Sequence, residues 1–187
     1  MIRNDDLFSR LEKFKEVTES PTYFDSEKAQ ILLHELKIIL MKHDYLSSDA
    51  NNINFAERLM FREVFELAII MCVRMENFND IQNYFNQLSF FYFKNDDLPQ
   101  SQRMFTMIDV SLLMSLAFNK NEEYNIKIAQ IRRIFPNLNF IIQFVLDVEL
   151  CLNSNSISKL SVLIENSPSY LFDIFLSKIM LRIRKTL

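Results

Sequence analysis

The chain has 187 residues, 49% of them hydrophobic and 13% aromatic, with a formal net charge of −3. That apolar content is enough to bury a core and excludes an intrinsically disordered chain, and the acidic balance gives no net basic face for nucleic acid. Glycine is absent altogether, and with it go the phosphate loop, the dinucleotide turn and the nucleophile elbow, each of which needs glycine.

Tight hairpin turns also favour glycine, so helices joined by Asn, Asp and Ser turns are the expected architecture. Taken in chain order, Asp5 and Asp6 open a first helix running to Glu19, with Leu7, Leu11 and Phe14 on one face. Ser20-Pro21 ends it, because the residue before proline is pushed out of the α region. Asp25 or Ser26 caps a second helix to His43, whose apolar stripe is read as Ile31, Leu32, Leu36, Ile39 and Leu40. Residues Leu46 to Asn54 form a polar connector, and Asn54 caps a long third helix from Phe55 to Met75. After Glu66 that helix is apolar on nearly every side, as expected of an element covered on both faces.

The chain restarts at Asn77 to Asp80, and Ile81, Tyr84, Phe85, Leu88, Phe91 and Tyr92 recur at three- and four-residue steps. Lys94 to Asp97 turns the chain. Leu98-Pro99 is read as the start of the next helix, to Phe118, with proline near its first position. Asn119 to Asn121 turns again into Glu122–Phe135, and Pro136 punctuates. A helix over 139–152, an Asn/Ser connector, a short helix over 157–165 and a last helix from Ser169 to Lys185 complete the count. The fold class is therefore all-α: about nine helices in a right-handed stack of antiparallel pairs, a TPR-like helical-repeat array. It reads as one helical-repeat domain over 1–187, with N-terminal helices at 1–45 and the repeat array at 54–187.

Little in the chain suggests catalysis. His34-Glu35 begins the zinc-helix pattern H-E-x-x-H, but the second position for histidine holds Ile38. His34 and His43 lie nine residues apart and read as plain helix residues. The acidic groups Asp5-Asp6 and Asn95-Asp96-Asp97 stand at helix starts and turns, where acids complement the helix dipole. Cys72 and Cys151 sit in apolar runs and read as buried free thiols of a reducing compartment. No D-D-x-x-D metal cluster occurs, which argues against a terpenoid-synthase type of helical enzyme. No catalytic residue, metal ligand or cofactor site is assigned. The N-terminus has no apolar leader, and the longest apolar run, Leu67 to Val73, is far short of the ~20 residues that cross a bilayer. The expected location is cytoplasm and nucleus, with neither membrane nor nucleic acid as partner.

Two features point to protein partners. Phe91 and Tyr92 read as core, while Phe90 and Phe93 add a second apolar side at the end of their helix. The last helix carries Phe172, Phe175 and Ile179 among an apolar excess wider than one neighbour needs. Lys178, Arg182, Arg184 and Lys185 crowd its end. They complement the helix dipole on the plainer reading, or meet an acidic partner on the sharper one. The candidate partner surface is Phe90, Phe93, Phe172, Phe175, Ile179, Arg182, Arg184 and Lys185.

The block Asn83-Tyr84-Phe85-Asn86-Gln87-Leu88, then Phe91-Tyr92-Phe93 and Leu98-Pro99-Gln100-Ser101, resembles a known signature. It is similar to the PCI-domain family of the 26S proteasome regulatory particle lid, at its twelfth non-ATPase subunit. Leu36 to Leu40, Leu112 to Asn119, Ser169-Tyr170, Phe172 and Leu181-Arg182 resemble that family more weakly. The resemblance implies a non-catalytic scaffold subunit in a hetero-oligomer, supporting ubiquitin-dependent protein degradation. The implied partners are other lid subunits, PCI and deubiquitinase-containing, with base subunits as further candidates. The family continues into a winged helix, and this chain ends at Leu187 where that module would follow, so the winged helix is expected to be absent. A PCI subunit of the COP9 signalosome or of translation initiation factor three is the alternative in the same class. A free helical-repeat adaptor is the alternative outside it.

Overall fold

A computed structural model describes residues 4–21, 23–41, 55–94, 97–135 and 142–186. Every regular element among these residues is helical: α1 (Asn4–Glu19), α2 (Ser26–Met41), α3 (Phe55–Arg74), α4 (Phe78–Phe93), α5 (Met104–Ala117), α6 (Asn121–Ile134), α7 (Gln143–Asn153), α8 (Ile157–Glu165) and α9 (Asp173–Thr186), with a 3-10 turn at Tyr170–Phe172. The expected connector at 46–54, Asn54, His43, Asn95, Asp96, Pro136 and the start of the helix at 139 lie outside the described residues. The chain forms two compact units, Met1–Gln100 and Ser101–Leu187.

In the first unit α3 packs against α1, α2 and α4. Its residues from Val64 to Val73 are all buried, as an element covered on several sides requires. Leu7, Leu11 and Phe14 of α1 face inward at the expected spacing. Asp25 caps α2, its carboxylate accepting the Lys28 N–H at 3.0 Å. The stripe on α2 is rotated from the sequence reading: Ile31 is 61% exposed, and Ala29 and Leu33 are buried instead. The C-terminal carbonyls of α1 are met by Arg74, which donates to the Thr18 and Ser20 oxygens at 2.6 and 2.9 Å. A guanidinium there satisfies orphan acceptors at the negative end of the helix dipole. Phe91 lies in the core against Phe65, with ring centroids 6.0 Å apart.

In the second unit α5 packs against α6, α7 and α9, and α8 against α7 and α9. The helix begins at Met104, later than Leu98-Pro99 suggested. The Pro99 carbonyl is engaged by Arg62 at 2.5 Å, and Ser101 accepts the Arg103 N–H through its hydroxyl. These bonds hold the segment as a turn. The last helix is likewise preceded by a 3-10 turn, entered where the Ser169 hydroxyl accepts the Leu171 N–H.

The hairpins α3/α4, α5/α6 and α7/α8 turn in the same way. Glu76, Asn119 and Asn155 stand at φ 56°, 60° and 49°. In each, the following N–H reaches back five residues: Asn77 to Cys72, Lys120 to Ser115, Ser156 to Cys151. The left-handed residue itself donates to Val73, Leu116 or Leu152. This is the Schellman arrangement, which satisfies the final carbonyls of a helix. Asn tolerates the left-handed region better than other residues with a Cβ, and Glu does not.

Glu76→Gly should therefore stabilise the protein by about 1 kcal/mol. Asn119→Gly should gain less, and urea unfolding midpoints compare the two. Phe91→Ala should cost about 3–5 kcal/mol in the same experiment.

Candidate interaction surface

On α4 the inward face is Ile81, Tyr84, Phe85, Leu88 and Phe91, leaving Asn83 and Asn86 exposed. Beside this helix runs a groove of about 520 Å3, walled by α2 and α4 and floored by Phe65. Lys37 of α2 lies over the Tyr84 ring, 4.8 Å from its centroid. Burial pushes the Tyr84 hydroxyl above its ordinary range, and the nearby Lys37 opposes that shift. Asp80, in the first turn of α4, accepts from the Asn77 amide at 2.7 Å.

The far end of α4 is fastened to α3. The buried Glu66 carboxylate accepts from the Tyr92 hydroxyl at 2.8 Å, and Arg62 stands 3.8 Å away. Arg58 reaches Asp97 with both terminal nitrogens, at 3.1 and 2.5 Å. This fork-on-carboxylate geometry fixes direction as well as distance. It holds Asp97 below the usual carboxylate range, first through the hydrogen bond from Arg58. Phe90 and Phe93 are half-buried. Phe90 meets Phe91 edge-on, and Lys94 lies over the Phe90 ring.

The last helix is a correction. Phe172, Phe175 and Ile179 are 2%, 0% and 0% exposed, buried within the second unit. Phe172 stacks on Phe144 at 5.7 Å, so its ring covers a neighbour in this chain and offers nothing to another. Arg182 is also engaged internally, donating to the Leu116 carbonyl and, at 2.7 Å, to Asn119 Oδ1. The apolar excess of this helix arises because it packs against both α5 and α8. Arg184 and Lys185 remain exposed.

Sequence reasoning missed two polar groups inside the second unit. Lys127 is drawn between Glu123 at 3.3 Å and the Ser115 hydroxyl at 3.1 Å, and desolvation lowers its pKa. Asp109 is 6% exposed in the middle of α5, and its Oδ1 has no hydrogen-bond partner. Burial pushes its carboxyl up to about 8. An acid inside a nearly continuous apolar helix gives no periodic signal that separates it from core. The thiols offer no nucleophile: burial pushes Cys72 up to about 12 and raises Cys151. His34 is exposed, while Glu35 is paired with Arg10 of α1. Among the described residues no three metal-binding side chains gather, and no helix is long and apolar enough to cross a membrane.

No protein-family model matches the chain. Against curated proteins it aligns with the 26S proteasome regulatory subunit RPN12 of Saccharomyces cerevisiae, 28% identical over 124 residues, which are 64% of this chain. The chain is similar to a proteasome regulatory subunit. The similarity is distant, and the aligned region spans 44% of the length of the yeast protein. It agrees with the resemblance carried by the 83–101 block, and the all-α hairpin architecture is consistent with a helical-repeat fold.

Asp109 makes stability depend on pH. Its folded pKa is raised above the unfolded value of 3.8, so the folded state holds a proton that the unfolded state has released. Its contribution is fully present below about pH 4 and is lost as pH rises toward about 8. Asp109→Asn should flatten that fall, raising stability most at pH 8. Thermal unfolding across the range checks it, and an unchanged slope would place the effect elsewhere.

Proposed function

We propose that the chain is a non-catalytic scaffold subunit of the proteasome regulatory particle lid, acting in ubiquitin-dependent protein degradation in cytoplasm and nucleus. The observation that carries this reading is the similarity to the yeast regulatory subunit. The resemblance of the 83–101 block supports it, and Tyr92, Asp97 and Pro99 of that block are tied to α3 through Glu66, Arg58 and Arg62. The mechanism is shape. Helical hairpins, three of them closed by the same left-handed turn, present side chains at fixed positions to neighbouring subunits. We assign it a PCI-type helical-repeat domain and a place in a hetero-oligomer with other lid subunits. Of the residues first considered for contact, Phe90, Phe93, Arg184 and Lys185 are the ones with surface to offer. Catalysis has no part in this reading, which follows the similarity to a regulatory subunit.

Affinity purification of the tagged chain from its native cells should recover proteasome subunits in stoichiometric amounts. Recovery of a signalosome or an initiation-factor complex instead would move it to that assembly. Arg184→Glu with Lys185→Glu, both exposed, should lower recovery without changing the melting temperature.

A further inference from the structure

We propose that the outer face of α2 docks a helix of another protein, packed lengthwise against it as in a coiled coil. The inference rests on the first unit alone and goes beyond the assembly proposed above. With the stripe of α2 turned as described, Ile31, Ile38 and Met41 stand 61%, 43% and 81% exposed. His34 lies between them and is exposed too. The four recur at alternating three- and four-residue steps, the spacing that keeps one line of side chains facing a partner helix. The positions on either side of this line, Lys28, Gln30, Glu35 and Lys37, are all polar. A narrow line between polar flanks is the seam of a coiled coil, whereas a helix lying on a core or on a membrane surface needs a wider stripe. The core side of α2 is a separate set, Ala29, Leu32, Leu33, Leu36, Ile39 and Leu40, so the seam is additional to what the fold uses.

Charge selects the occupant. A second copy of α2 running the other way, with all four layers matched, sets Glu35 against Glu35 and Lys37 against Lys37. Like charges at flanking positions oppose such pairing. A second copy running the same way stacks His34 on His34, a polar layer facing itself in an otherwise apolar seam. A different helix escapes both conflicts when it carries aliphatic residues at the same spacing and one carboxylate in the layer of His34. An imidazole N–H donates to that carboxylate, a charge-assisted hydrogen bond. Among the described residues His34 makes no hydrogen bond or ion pair, so its ring is open to that acceptor. The flanks ask for little, since Glu35 is already held by Arg10 and Lys37 lies over the Tyr84 ring. From Ile31 to Met41 the seam runs about 15 Å. A free peptide helix that short is marginal in water, so the partner presents a helix held within a folded domain.

Selection of a phage-displayed three-helix scaffold, with one helix face randomised, on the intact chain tests the proposal. Enriched faces should carry aliphatic residues at three- and four-residue steps and one Glu or Asp. The double variant Ile31→Asp, Ile38→Asp alters only exposed positions. It should keep the melting temperature and lower the affinity at least about tenfold. Selection repeated on His34→Ala should lose the acidic residue and keep the aliphatic spacing, a change that a general loss of apolar surface does not produce. In the unaltered chain the bound scaffold should slow amide hydrogen exchange in residues 27–41, a readout that stands even where a variant folds poorly. In sedimentation of the chain alone, Ile38→Asp should leave the mass unchanged. A dimer that this variant disperses, faces without the repeating spacing, an acidic residue retained against His34→Ala, full binding to the double variant, protection elsewhere, or no enrichment would each overturn the proposal.

Discussion

A helix that ends inside a packed hairpin leaves its last carbonyls without intrahelical partners, and the turn that follows must supply them within a few residues. In this chain the same solution serves α3/α4, α5/α6 and α7/α8: one residue enters the left-handed region and two backbone N–H groups turn back. Proteins usually put glycine at that position. With none in the chain, two asparagines and a glutamate take it. The geometry of these three hairpins is thus held by backbone hydrogen bonds against a local steric cost.

Buried charged side chains are accommodated in two ways. Glu66 has Tyr92 and Arg62, and Lys127 has Glu123 and Ser115. Both charges are met by partners from their own and the adjacent helix, and the Glu66–Tyr92 and Lys127–Ser115 contacts each tie a hairpin together. Asp109 has no such partner for Oδ1 and escapes the cost of burial by holding its proton. The first two are structural ties. The third makes stability titratable.

Much of the fold was legible from spacing. Leu7, Leu11 and Phe14, the run after Glu66 and the α4 face all lie where periodicity put them, since a helix has one way to bury residues three and four apart. On α2 nearly half of the positions are aliphatic, so the moment is weak and the stripe could be turned by one residue. Ile31 was read inward and lies outside, while Leu33 does the reverse. The start of α5 was misread because Pro99 is equally at home at a first helical position and in a turn, and only the reach of Arg62 decides. The partner surface was less legible. Phe172, Phe175 and Ile179 looked surplus when their helix was weighed against one neighbour, and it has more than one. The groove left no trace in the sequence, because Asn83, Asn86 and Gln87 are ordinary polar helix residues until α2 is seen beside them.

The position of α9 affects how the second unit is made. Its helix packs against α5, some sixty residues upstream, and Arg182 ties it to the Leu116 carbonyl and Asn119. During synthesis α5 leaves the ribosome long before α9 does, and until then the side of α5 that α9 will cover has nothing from its own unit to shield it. The first unit has its helices in hand much earlier, with α1 to α4 all within residues 4–93. One half can thus close while translation continues, whereas the other stays oily and open, a natural client for a chaperone, until its final coil arrives.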